Sequence, residues 1–206
     1  MILRFPYLTK VLGIGIVALS PGTANTASHQ EMCATSTQKV SVEEYYVASA
    51  GAMTFRASDE LGVTEAVVLS ALGEESATGT TGISFNEVWE SLRSWTDAMT
   101  VIRFGGQVFE VHGPVNAGAP STRSNFFNLS GHNGVGGHLR PDLISSIYAI
   151  SLASERATIR GVTFLDQSGN SIFGVYVPSE GEEPPQEIVE QFKATKKLIA
   201  SLPSAC

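Results

Sequence analysis

Imidazoles are the residues best placed to do chemistry in this chain, and two of its four histidines, His132 and His138, fall within the run Phe126 to Leu139. The run is rich in glycine, with Gly136-Gly137 directly before His138. Glycines there let the backbone approach a ligand closely and clear space around the ring. Other chemistries that such a cluster could serve lack their partners. There is no Lys-Ser/Thr to complete a phosphate loop and no dinucleotide-type glycine spacing. A Gly-x-Ser-x-Gly elbow and a His-Glu-x-x-His zinc pair are also missing, which argues against hydrolysis and for binding.

Neutral imidazole is a good axial ligand for haem iron, and the rest of a haem site is apolar wall plus cations for the propionates. His138 is the first candidate ligand. Phe104, Phe126, Phe127 and Tyr148 supply candidate wall, and Arg103, Arg123 and Arg140 candidate partners for carboxylates.

The elements that must position these residues change period along the chain. Ala24 to Lys39 is small, polar and aperiodic and reads as a flexible lead-in. Ser41 then caps a short helix carrying Tyr45 and Tyr46. Thr54 to Leu72 follows as two helices broken at Gly62 and restarted by a Thr64 cap. Glu74 to Gly82 reads as a loop, and Ser84 to Trp95 as a helix with Phe85, Val88, Trp89 and Leu92 on one side. From Met99 the period becomes that of strands: Met99 to Arg103, Gln107 to His112, Asn125 to Ser130, Ile144 to Leu152, Ile159 to Asp166 and Ser171 to Val177. Pro184-Pro185 open a last helix with Ile188, Phe192, Leu198 and Ile199 as its stripe. Helices, then hairpin-linked strands, then a helix give an α+β fold with an antiparallel sheet.

Composition narrows the partners. A chain of 206 residues with 43% hydrophobic and 16% charged residues is one ordinary globular domain. A net charge of −7 argues against a nucleic-acid partner. The helical hairpin at Leu61-Gly62-Val63 has the outline of a DNA reader. Its second helix, however, carries Glu65 and no base, so it reads as a plain hairpin. Cys33 and Cys206 are too few for a zinc knuckle; they read as two free thiols or, in an oxidising compartment, as a disulfide tying the ends. The first residues look like a targeting segment: Arg4 and Lys10, an apolar stretch from Val11 to Leu19, and a small-x-small site at Gly22-Thr23-Ala24. That stretch is too short for a stable membrane span. A start at or after Met32 is the other reading.

One set of residues carries a resemblance. Phe85-x-x-Val88-Trp89, Trp95, Phe109-Glu110-Val111, Phe127-Asn128-Leu129, Gly137-His138-Leu139 and Gly169-x-x-Ile172-Phe173 stand in an order similar to that of the HutX/ChuX haem-utilisation carrier family. The hairpin Leu61-Gly62-Val63-x-Glu65-x-x-Val68 belongs to the same likeness, which runs from about Ser41 to Leu198. The resemblance implies short N-terminal helices on a large antiparallel sheet with a C-terminal helix, spanning residues 41–202 behind an extension at 1–40. It further implies a homodimer that carries non-covalent haem b as cargo to a haem-degrading or haem-processing partner. Haem degradation by the chain itself, or a haem-free scaffold, are the alternatives. It implies a cytoplasmic location, or a periplasmic one if residues 1–24 are a signal peptide.

Carried over position by position, the histidine of the Gly-His-Leu motif is His138. A second family histidine is replaced by Arg103, and a tyrosine that precedes Phe-Asn-Leu in several relatives is Phe126. The expected ligand is therefore His138, with His132 or Tyr148 as substitutes. Arg103 and Arg140 are expected near the propionates, and Phe126 and Phe127 at the wall.

Overall fold

The computed structural model describes residues 32–131, 133–154, 157–179 and 182–206. His132 and the targeting-type segment lie outside the described residues.

The first helix, α1 (Ser36–Ala48), starts ahead of the expected Ser41 cap and inside the expected lead-in. The reason is a reciprocal box: Thr35 Oγ1 accepts from the Gln38 amide at 3.3 Å while Gln38 Oε1 accepts from the Thr35 amide at 2.9 Å. Two orphan amides are satisfied at once, which a lone serine cannot do. Ser41 sits mid-helix and donates to the Thr37 carbonyl instead. The hairpin then follows the sequence reading. α2 (Thr54–Leu61) ends at Gly62, whose φ of 65° is left-handed, and α3 (Glu65–Ala71) is capped by Thr64, which accepts from the Val67 amide.

α4 (Phe85–Leu92) buries Phe85, Val88, Trp89 and Leu92, the spacing of one helical face. α5 (Gln186–Ser201) does the same with Ile188, Phe192, Thr195 and Ile199. Between these helices lie the strands β1 (Ala77–Thr81), β2 (Met99–Phe104), β3 (Gln107–His112), β7 (Ile144–Ala153), β8 (Thr158–Asp166) and β9 (Ser171–Tyr176). They form one antiparallel sheet in the order β1-β7-β8-β9-β2-β3. β4 (Gly118–Pro120), β5 (Phe127–Leu129) and β6 (Gly137–Leu139) make a second, three-stranded sheet.

The result is layered. One face of the large sheet, through Ile147, Ala149, Val162, Phe164 and Val175, packs with α4, α5 and the small sheet's Phe127 and Leu129. The opposite face, through Tyr148, Ile150, Leu165 and Tyr176, packs with α3 by way of Ala66 and Leu69, with Met53 and Tyr46 at the margin. This is the α+β class with N-terminal helices on a large antiparallel sheet.

β1, β4 and β6 were not expected as strands. β1 was read as loop because Ala77-Thr-Gly-Thr-Thr81 is small and polar. Its place is set from outside, since Gly79 pairs with Tyr148 and a Cβ there would lie 2.3 Å from Tyr148 Cε1. The glycine is what lets the tyrosine ring lie across the strand. The outer edge of β1 is closed by the C-terminal tail, with the Thr81 amide donating to the Pro203 carbonyl at 3.1 Å and the Ala205 amide to the Gly79 carbonyl at 3.2 Å.

The cysteines are not free thiols. Cys33 and Cys206 form a disulfide across a sequence separation of 173 residues, and no free cysteine remains. Folding brings Cys33 and Cys206 to the Tyr148 face of the sheet, where their neighbours Met32 and Ala205 pack in the same cluster.

Candidate functional site

β5 and β6 pair antiparallel with Asn128 opposite His138. Alternation along β5 then divides its residues. Phe127 and Leu129 point inward and are buried, while Phe126, Asn128 and His138 share the outer face. His138 is exposed there, with its ring 5.7 Å from that of Phe126, which is 39% exposed. Asn128 Oδ1 lies 2.8 Å from His138 Nδ1. An amide oxygen accepts only, so Nδ1 is the donor in this contact, and in the neutral ring Nε2 is then the nitrogen available to a ligand.

Arg140 extends the same patch, its guanidinium 5.7 Å from the Phe126 ring centre. It donates from Nε and Nη2 to both oxygens of Asp142 at 2.7 and 2.6 Å, a two-point pairing, and Asn125 donates to the same carboxylate. Those hydrogen bonds hold the Asp142 carboxyl at about 2, with Arg140 the main cause, and Arg140 is raised in turn. The pair keeps its charges across the physiological range. Asp142 and Asn125 were not singled out in the sequence. Only the spacing Arg140-x-Asp142 hinted at the pairing.

The structure brings His138, Phe126 and Arg140 together, with Phe127 behind them in the core rather than at a surface wall. It places the other candidates elsewhere. Arg103 stands on β2, where Nη1 donates to Glu65 Oε1 at 2.6 Å and to Ser171 Oγ at 3.0 Å, and the guanidinium covers the Phe55 ring at 4.1 Å. Glu65 is itself buried and accepts also from Thr54 Oγ1 and from Ser171, so this ion pair is fully satisfied. Arg103 lines a cavity of about 350 Å³ between α2, α3 and the sheet, walled by Met53, Met99, Val101 and Tyr176. Because Glu65 and Glu110 also line it, the cavity carries more acid than base and is poorly suited to propionates.

Tyr148 is buried under the C-terminal tail, its hydroxyl 3.8 Å from Cys206 Sγ. Burial raises its phenol to about 12, so it stays protonated at neutral pH and is a poor iron ligand as it stands. Phe104 is exposed at the β2–β3 turn, away from the histidine patch. Among the described residues no group of three His, Cys, Asp or Glu could hold a free metal ion, and no helix is long and apolar enough to cross a membrane.

The surroundings fit one axial imidazole, one aromatic face and one cation already engaged by an acid. Among the described residues they do not enclose a macrocycle, because the outer face of the small sheet is open. The chemistry available is therefore coordination and stacking. No nucleophile or general base is poised beside His138 among the described contacts.

The chain is similar to known proteins in sequence and in fold. The chain is 29% identical over 142 residues to the intracellular heme transport protein HutX of Vibrio cholerae serotype O1, covering 68% of this chain and 72% of that one. Its fold is similar to the crystal structure of ChuX, with a TM-score of 0.69 at 18% identity, covering 78% of this chain and 98% of that one. It is also similar to holo-PhuS, a heme-binding protein from Pseudomonas aeruginosa, with a TM-score of 0.64 at 15% identity. There it covers 79% of this chain and 44% of the longer one. A family profile described as haem utilisation ChuX/HutX matches residues 79–195, more than half of the sequence, and the chain belongs to that family.

Proposed function

We propose that this protein binds haem without covalent attachment and carries it, with His138 as the axial ligand. The observation that carries the reading is the His138–Asn128 pair, which leaves Nε2 without a hydrogen-bond partner among the described residues, on an exposed ring beside Phe126. An imidazole whose other nitrogen is held by a hydrogen bond is a stronger and better oriented ligand than a free one. Phe126 offers a face for the porphyrin. Arg140 lies within reach of a propionate, which would share it with Asp142.

In this proposal the chain also pairs with a second copy of itself. Among the described residues the large sheet has one sealed edge, at β1, and one open edge, at β3. β3 is exposed along five of its six residues, with Val108 and Phe109 each 54% exposed. An apolar open edge of this kind is a template for strand pairing. In a self-pairing centred on Phe109, the two phenylalanines oppose each other and Val108 faces the second copy's Glu110. A centre at Glu110 would oppose two like charges, which is unfavourable.

The HutX relative's name supports carriage rather than breakdown. That name describes an intracellular protein, and the cystine of this chain argues against a reducing compartment. Titrating purified protein with haem tests the function. A saturable Soret band that persists with ascorbate and oxygen supports carriage. Its decay with iron release would show degradation, and no band at micromolar haem would show the haem-free scaffold.

A further inference from the structure

The two cysteines flank the described fold, Cys33 just ahead of α1 and Cys206 as the last residue, and they are the only two in the sequence. Their pairing joins two peripheral segments, the first held to α3 by the Ala34 amide, which donates to Ser70 Oγ at 2.8 Å. Within α1 only Val42 is fully buried, and its capping box is exposed to solvent. The tail is fixed by the Thr81–Pro203 and Ala205–Gly79 backbone bonds and by Thr80 Oγ1, which donates to the Pro203 carbonyl at 2.8 Å. Those bonds seal the β1 edge and lie over Tyr148, whose hydroxyl meets Cys206 Sγ. In a thiol-reducing cytosol such a pair stays open and the clamp is absent.

The second observation lies in the sequence and is independent of the first. Arg4 and Lys10 precede the apolar stretch Val11 to Leu19, and Gly22-Thr23-Ala24 follows it, the layout of a secretory leader. Cleavage after Ala24 would leave Cys33 a short way from the new N-terminus, free to meet Cys206.

We infer that this chain matures outside the reducing cytosol, losing its leader after Ala24 and closing the Cys33–Cys206 cystine, and that it holds haem there as an exported protein. Only the last clause rests on the haem reading. Leader removal is hydrolysis of the Ala24–Asn25 peptide bond, in which water adds its hydroxyl to the Ala24 carbonyl carbon and a proton to the departing Asn25 nitrogen. Cystine formation removes two electrons and two protons from the two thiols. Both pass to the disulfide of a protein dithiol oxidant, which leaves as the dithiol. With two cysteines in the chain there is no competing intramolecular pairing.

The experiment uses the full chain purified from the organism that encodes it. The protein is denatured without reductant, treated with a maleimide, and its intact mass and N-terminal sequence are read. The expected result is an N-terminus at Asn25, no maleimide added, and two maleimides added once a reductant is included. An N-terminus at Met1 or Met32, or maleimide uptake without reductant, overturns the inference. The Soret band of the same material is recorded separately. Its absence from protein with the cystine and the Asn25 terminus would overturn the haem clause and the haem reading, and leave the maturation standing.

Discussion

Asn128 illustrates how a residue outside the ligand set governs the site. Its side-chain oxygen lies against His138 Nδ1, so that in the proposed site Nε2 is the nitrogen offered to iron. Loss of such an outer partner weakens metal-site affinity by roughly 10- to 100-fold. We therefore expect Asn128→Ala to raise the haem dissociation constant by about that factor while leaving the Soret maximum near its wild-type position. An unchanged dissociation constant would mean that the hydrogen bond does not serve the iron. The histidine and the phenylalanine were legible in the sequence because Gly-His-Leu and Phe-Asn-Leu stand out by residue type. The Asn128–His138 pairing was not legible, because it depends on the register of two three-residue strands that no hydrophobic period announces. Arg103 is expected near a propionate for its charge and stands where the resemblance places a second family histidine. In the fold that charge is taken up by the buried Glu65 carboxylate, 38 positions away in sequence.

At the scale of elements, the strands legible in the sequence carry runs of apolar and β-branched residues, buried almost continuously in β7 and β8 and largely exposed in β3. β1 escaped because its burial comes from neighbours, the Tyr148 ring on one side and the C-terminal tail on the other. Gly79→Ala tests this directly. The added methyl would overlap the Tyr148 ring, and overpacking of this kind costs about 1–3 kcal/mol. Urea unfolding should show that loss, whereas a neutral result would mean that the ring shifts freely. The opposite edge makes a different prediction. Phe109→Lys places a charge at the centre of the proposed β3 self-pairing, and we expect light scattering to show a monomer where the wild type is a dimer. A variant that remains dimeric would move the interface off β3. The helices were read well where caps or left-handed glycine mark their ends, as at Gly62 and Thr64. They were misread at α1, where a Thr-Gln box outweighed the expected serine.

Across the whole molecule, the cystine joins the beginning and end of a layered fold, with the small sheet holding His138 on the face opposite to that clamp. A crosslink closing so long a loop restricts the unfolded chain and contributes about 2–4 kcal/mol. For a domain of this size the midpoint of thermal unfolding should fall by roughly 5–15 °C on reduction. Haem binding at His138 should survive that treatment, because the clamp lies on the other side of the large sheet. The central claim is that His138 Nε2 holds the iron, and a spectroscopic haem titration of wild type beside His138→Ala tests it most directly. The account predicts a saturable Soret band of defined position for the wild type, and for His138→Ala a displaced band with affinity weakened by at least about tenfold. Identical spectra and identical affinities for the two proteins would contradict it.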